Sequence, residues 1–117
     1  MSKLLSPEDR KFLRKGMKYF QVRMLKIEWS PSQAKYPDIW ISLDGQMPKI
    51  TVTKEWMKQN STNRQSRLTH ELLHKTGLEH NEKIGYNTHP EADSFSKKVY
   101  LDIIKGSSKF DKRRFGL

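Results

Sequence analysis

The sequence predicts an α+β domain in the order helix, three strands, helix, helix. Three observations carry that order. Phe12, Leu13, Met17 and Phe20 recur at helical spacing behind Ser6-Pro7-Glu8-Asp9. Between residues 21 and 53 the apolar pattern shortens to alternation and is cut by the turn pair Asp44-Gly45. Beyond residue 60 helical spacing returns twice, each time behind residues suited to capping a helix.

The first helix has a complete start signal. Ser6 suits the cap, Pro7 the first helical position, and Glu8 and Asp9 face the positive end of the dipole. It is expected to be a scaffold helix packed on the sheet, with Arg10, Lys11, Arg14, Lys15 and Lys18 solvated. The first strand covers 21–29, where Leu25, Ile27 and Trp29 alternate with Lys26 and Glu28. Val22 and Met24 fall on the other parity, which suggests a bulge near Met24. A turn-rich loop over 30–37 leads to a second strand over 38–43, and clean alternation over 49–53 gives a third. Strands two and three read as a hairpin.

Trp56 and Met57 precede a polar stretch in which Ser61, Thr62 or Asn63 caps the next helix, expected to run to about Thr76. Leu68, Thr69, Leu72, Leu73 and Thr76 fall on its back, away from His70 and His74, so that the back packs on the sheet and the histidines face a cleft. The last helix is predicted to start at Thr88-His89-Pro90-Glu91, to bury Ala92, Phe95, Val99 and Ile103, and to end at Gly106. Residues 1–106 form one domain. Residues 107–117 form a basic tail with Lys109, Lys112, Arg113, Arg114, Phe110 and Phe115, either a disordered arm or docked on the sheet.

Composition narrows the chemistry. A chain of 117 residues is one domain with a small core. It has no cysteine, which removes disulfides and thiolate metal sites. No apolar run approaches the roughly 18–20 residues of a membrane span. The N-terminal residues hold no apolar stretch long enough for a signal peptide, so a cytoplasmic setting is expected. A net charge of +10 attracts nucleic acid or acidic protein surfaces, or serves solubility alone.

The chemistry concentrates in His70–His80, H-E-L-L-H-K-T-G-L-E-H, which holds three of the four histidines. His70 and His74 lie one helical turn apart and can close on one metal ion. Glu71 beside them can take a proton from water activated there. Gly77 can end the helix, since glycine enters the left-handed region without steric cost, and the returning chain can deliver His80. The stretch matches the metzincin signature H-E-x-x-H-x-x-G-x-x-H in full, and the chain resembles a small zincin-type zinc metalloprotease. All five methionines lie upstream of the motif, so the resemblance is to a minimal form without a downstream methionine turn.

The resemblance implies one Zn²⁺ ion held by His70, His74 and His80, Glu71 as general base, and a peptide or protein substrate. It also implies a minimal zincin-like arrangement of the α+β fold. An alternative third ligand is Glu91, because Glu91-Ala92-Asp93-Ser94-Phe95 resembles the E-A-x-x-F segment of gluzincins. Gly77 and His80 fit together and favour the histidine. Tyr86, His89 and Tyr100 are candidates for a second hydrogen-bond donor to the oxyanion, and Asp93 for orienting a ligand histidine. The third strand, Lys49, Ile50, Thr51, Val52 and Thr53, is the expected substrate strand, lying along the cleft and pairing with an extended peptide. A competing class is a basic nucleic-acid-binding module with structural metal or none. The two combine in a DNA-associated protease.

Overall fold

The computed structural model describes residues 5–31, 38–86 and 91–117. Its architecture is α+β. Helix α1 (Pro7–Tyr19) is followed by strands β1 (Lys26–Trp29), β2 (Ile39–Ser42) and β3 (Lys49–Val52). The short helix α2 (Lys54–Met57), α3 (Ser61–Lys75) and α4 (Ser94–Lys105) complete it, with a terminal 3-10 turn (Lys112–Phe115).

Helix α1 starts as its sequence predicts, with Ser6 Oγ accepting the Asp9 N–H at 3.2 Å. Asp9 does more than oppose the dipole. It is buried and accepts from Arg64 Nε at 2.7 Å and Gln65 Nε2 at 3.0 Å, which ties the start of α1 to the first turns of α3. Higher up, Gly16 lets the two helices close, since a Cβ there would meet Leu72 Cδ1 at 3.0 Å. Helix α1 packs against α3 and α4, not chiefly against the sheet as expected.

Strand β1 begins later than the alternation suggests. Gln21 adopts the left-handed region (φ 58°) and the Val22 N–H donates to the Met17 carbonyl at 2.8 Å, so this segment closes α1. The sheet order is β1-β3-β2, with β1 parallel to β3 and β2 antiparallel to it. The predicted hairpin is present, pairing Ile39 with Val52 and Ser42 with Lys49. Strand β3 is the centre of the sheet, paired on both edges, and Ile50, Thr51 and Val52 are all buried. Thr53, just past it, caps α2 and sends its N–H and Oγ1 to the Asp38 carbonyl. Helix α2, which the polar stretch around it hid, buries Trp56, whose Nε1 donates to the Arg64 carbonyl.

Helix α3 is the hub. It is capped by Asn60, whose side chain accepts the Asn63 N–H at 2.9 Å, and it packs on α1, α4 and β2. Leu68, Leu72 and Leu73 on its back are completely buried, mainly between helices. Helix α4 begins at Ser94, not at the predicted Thr88–Pro90, because Asp93 is the cap, accepting the Ser96 N–H at 2.9 Å. Residues 88–90 lie outside the described residues. Gly106 ends α4 in the left-handed region (φ 102°).

The tail docks on helices. Phe110 packs on Tyr19 and Phe20, Phe115 packs on Phe95, and the Phe110 N–H donates to the Tyr19 carbonyl at 2.9 Å. Asp102 accepts from Tyr19 Oη, Ser107 Oγ and Arg114 Nη2 at 2.6–2.7 Å. Partial burial pushes the Asp102 carboxyl up, but these hydrogen bonds outweigh it and hold it below the ordinary carboxylate value.

Two outcomes follow. Gly16→Val drives two branches toward Leu72 and is expected to destabilise the fold by about 1–3 kcal/mol in urea titrations. Because the folded Asp102 value is depressed, its contribution is complete above the unfolded value near about pH 4 and is lost as pH falls through the folded value. Asp102→Asn is therefore expected to lower stability at neutral pH and to flatten the acid limb of stability against pH. An acid limb as steep as that of the wild type would show that Asp102 carries none of it.

Candidate metal centre

The centre grows out of the C-terminal half of α3. His70 and His74 are one turn apart on the face opposite Leu68 and Leu72. The helix then stops. Thr76 Oγ1 donates to the Leu73 carbonyl at 2.6 Å, and Gly77 adopts φ 94°, which reverses the chain. Beyond the turn, Asn81 Oδ1 accepts the N–H groups of Lys83 and Ile84, and the buried Ile84 anchors the loop. His80 is thereby folded back over α3, its ring 4.7 Å from that of the exposed Tyr86.

The three Nε2 atoms form a nearly equilateral triangle. His70 to His74 is 3.2 Å, His70 to His80 3.2 Å and His74 to His80 3.1 Å. Among the described residues these three form a group able to hold a metal ion. Nitrogens about 2.0–2.1 Å from one tetrahedral zinc stand about 3.3–3.4 Å apart, so the triangle fits with little adjustment.

The other ring nitrogens fix what the triangle presents. His74 Nδ1 lies 2.8 Å from the Leu78 carbonyl, which can only accept, so Nδ1 carries the hydrogen and Nε2 a lone pair. His70 Nδ1 lies 2.7 Å from Asp93 Oδ2. Burial raises the Asp93 carboxyl, but hydrogen bonds from His70 and Ser96 hold it below its ordinary value, so it accepts from His70 as a carboxylate. Burial lowers the His74 and His80 imidazoles, and the neighbouring His70 adds to the effect. His74 thus turns an Nε2 lone pair toward the point where the three rings converge, and a cation there would meet nitrogen donors. All-nitrogen donors with room for a fourth ligand suit zinc better than calcium or magnesium.

Glu71 is 3% exposed and its Oε2 lies 3.9 Å from His70 Nε2, beside the triangle and outside it. With His74 and His80 it lines a cavity of about 590 Å³. The rest of that wall is largely apolar: Ile39, Trp40, Ile41 and Leu43 along β2, with Leu78 and Tyr86 opposite.

Other expected positions fall differently. Glu91 is exposed and its carboxylate is 3.8 Å from Lys97 Nζ, away from the triangle that His80 completes. Asp93 meets His70 as a helix cap, a role its neighbours in sequence conceal. Tyr86 borders the cavity, whereas Tyr100 is buried against Phe12 in the core and is not part of the cavity wall. His89 lies outside the described residues. Lys49–Val52 cannot add a substrate strand, because both edges of β3 are already paired. The strand along the cavity is β2, at the end of the sheet order.

Sequence reasoning passed over Ser96 and Arg67. Ser96 Oγ lies 3.2 Å from His70 Nδ1 and donates to Asp93 at 2.7 Å. Its signal was the spacing Asp93-x-x-Ser96, a side-chain cap with its third helical residue. Arg67 is completely buried one turn ahead of His70 and Glu71, and its place on their helical face was the available signal.

Comparisons with known protein families, curated proteins and solved structures returned no match.

Asp93→Asn keeps the cap but replaces the carboxylate that faces His70. It is expected to leave the protein folded and to weaken zinc affinity about 10–100-fold in chelator competition. Unchanged affinity would remove Asp93 from the centre.

Proposed function

We propose that the chain is a zinc-dependent peptidase of the zincin type. One observation carries this: three imidazole nitrogens converge beside a buried glutamate at the wall of an apolar cavity. When bound, zinc supplies a Lewis acid for the scissile carbonyl and lowers the pKa of water to about 7.

The chain's own residues supply the rest. His70, His74 and His80 hold the ion. Asp93 and the Leu78 carbonyl keep the first two rings in the ligating tautomer. Glu71, a step away from the three nitrogens, takes a proton from the attacking water and hands it to the departing amine. The apolar wall of β2 and Leu78 seats an apolar substrate side chain and excludes water. A substrate in the cavity lies against the Ile39, Trp40 and Ile41 side of β2.

A basic nucleic-acid-binding module accounts for the charge of +10. It leaves the histidine triangle and the buried Glu71 without a role, and the peptidase is therefore preferred.

Glu71→Gln tests the assignment. The variant is expected to bind one zinc per chain and to lose about 10²–10⁴-fold in kcat/KM on a mixed peptide library. Wild-type turnover by that variant, or a wild-type protein that takes up no zinc, would overturn it.

A further inference from the structure

Three segments around the cleft meet at one buried side chain outside the histidine triangle. Arg67 is 0% exposed. Its Nη2 donates to Asp38 Oδ1, at the residue just before β2. Its Nη1 donates to the Glu91 carbonyl at 3.3 Å, two residues ahead of Asp93. Asp38 is itself held by Gln59 Nε2, and its carbonyl accepts both the N–H and the Oγ1 of Thr53. The acid is therefore fixed to the sheet. Burial lowers the Arg67 guanidinium to about 10, with attraction to Glu71 and Asp93 opposing the fall, so the group stays charged at neutral pH.

A buried charge is costly unless it is paired and hydrogen-bonded, as Arg67 is to Asp38 and the Glu91 carbonyl. Arginine is the side chain suited to the task. Its flat fork presents donors in fixed directions, so one group can hold two acceptors on different segments, which a lysine ammonium cannot do with the same geometry.

We propose that Arg67 is a positioning residue that sets the spacing between the helix that carries the histidine pair and two structures packed beside it: β2, through Asp38, and the Asp93 that orients His70, through the Glu91 backbone. The proposal rests on the zinc-peptidase assignment. The Asp38 and Glu91 contacts have separable consequences. Loosening the Asp38 arm moves the strand a substrate lies along. Loosening the Glu91 arm moves Asp93, and with it the ring of His70.

The test pairs two variants. Arg67→Met with Asp38→Asn removes the Arg67–Asp38 pair as a unit, so neither of these two charges is left buried without the other, and the fold is expected to survive. Its zinc affinity, measured by chelator competition, is expected to fall about tenfold or more. Asp38→Asn alone leaves Arg67 on the Glu91 carbonyl. It is expected to keep native zinc affinity while raising KM several-fold for peptide substrates, with kcat little changed. A purely structural Arg67 predicts the opposite: the folded double variant binds zinc as the wild type does, and that result overturns the proposal. Should the double variant fail to fold, the single variant decides, and a native KM overturns the proposal. A wild-type protein without zinc is a separate result and strikes the zinc assignment itself.

Discussion

Helix α3 carries Arg67, His70 and Glu71 below the protein surface, and a buried polar group without partners costs on the order of several kcal/mol. The surrounding elements meet that constraint. The residue before β2 supplies a carboxylate to Arg67, the cap of α4 supplies one to His70, and the turn at Gly77 supplies a carbonyl to His74. Strand, loop and last helix are thus each fastened to α3 by a directional polar contact. The apolar core fixes how close they come, through Leu68, Leu72 and Leu73 behind the histidines and the close approach of Gly16 to Leu72. Packing alone allows small slides between helices, whereas hydrogen bonds to buried charged groups permit only narrow geometries.

That division of labour explains why the histidine triangle is so regular. Each ring of the α3 pair has its Nδ1 committed, so neither can rotate its Nε2 away without giving up a hydrogen bond in a place water does not easily reach. The folded chain therefore holds the three Nε2 atoms together. A cation at the triangle would meet nitrogens already gathered, so metal binding would be coupled to folding through the same contacts.

How much of this was legible depended on how far apart in sequence the partners lie. The histidine motif is local: helical offsets and one glycine determine where His70, His74 and His80 go, and the triangle forms as those offsets imply. The hairpin of β2 and β3 is local too, through Asp44-Gly45. The order of the strands among the described residues is not local. Strand β1 pairs parallel with β3 on the far side from β2, and alternation within 49–53 contains no information about that crossing. The start of α4 was expected at Thr88-His89-Pro90-Glu91 and lies at Ser94. Asp93 is the residue that caps it, because one carboxylate serves both the Ser96 N–H and His70, a contact invisible until α3 and α4 are packed together. The tail was ambiguous by charge and was decided by its aromatics, since Phe110 and Phe115 find rings on α1 and α4.

The three metal candidates are not equivalent, and the difference follows from what holds each ring. His70 is completely buried and bound to a capped helix start, so its position is set by the packing of α3 on α4. His74 is half-buried and bound to the turn that ends its own helix, so its position is set locally. His80 is exposed, carried by a loop anchored at Ile84 and steadied by the ring of Tyr86. Two of the rings are therefore part of the scaffold and the third closes over them from the side of the cavity. The cavity that His74 and His80 line also holds Glu71 and the apolar wall along β2. The polar contacts that keep α3 satisfied and the opening a substrate would need are consequences of one arrangement, in which the buried side of the helix is fixed by Arg67 and His70 and the accessible side is completed by His80.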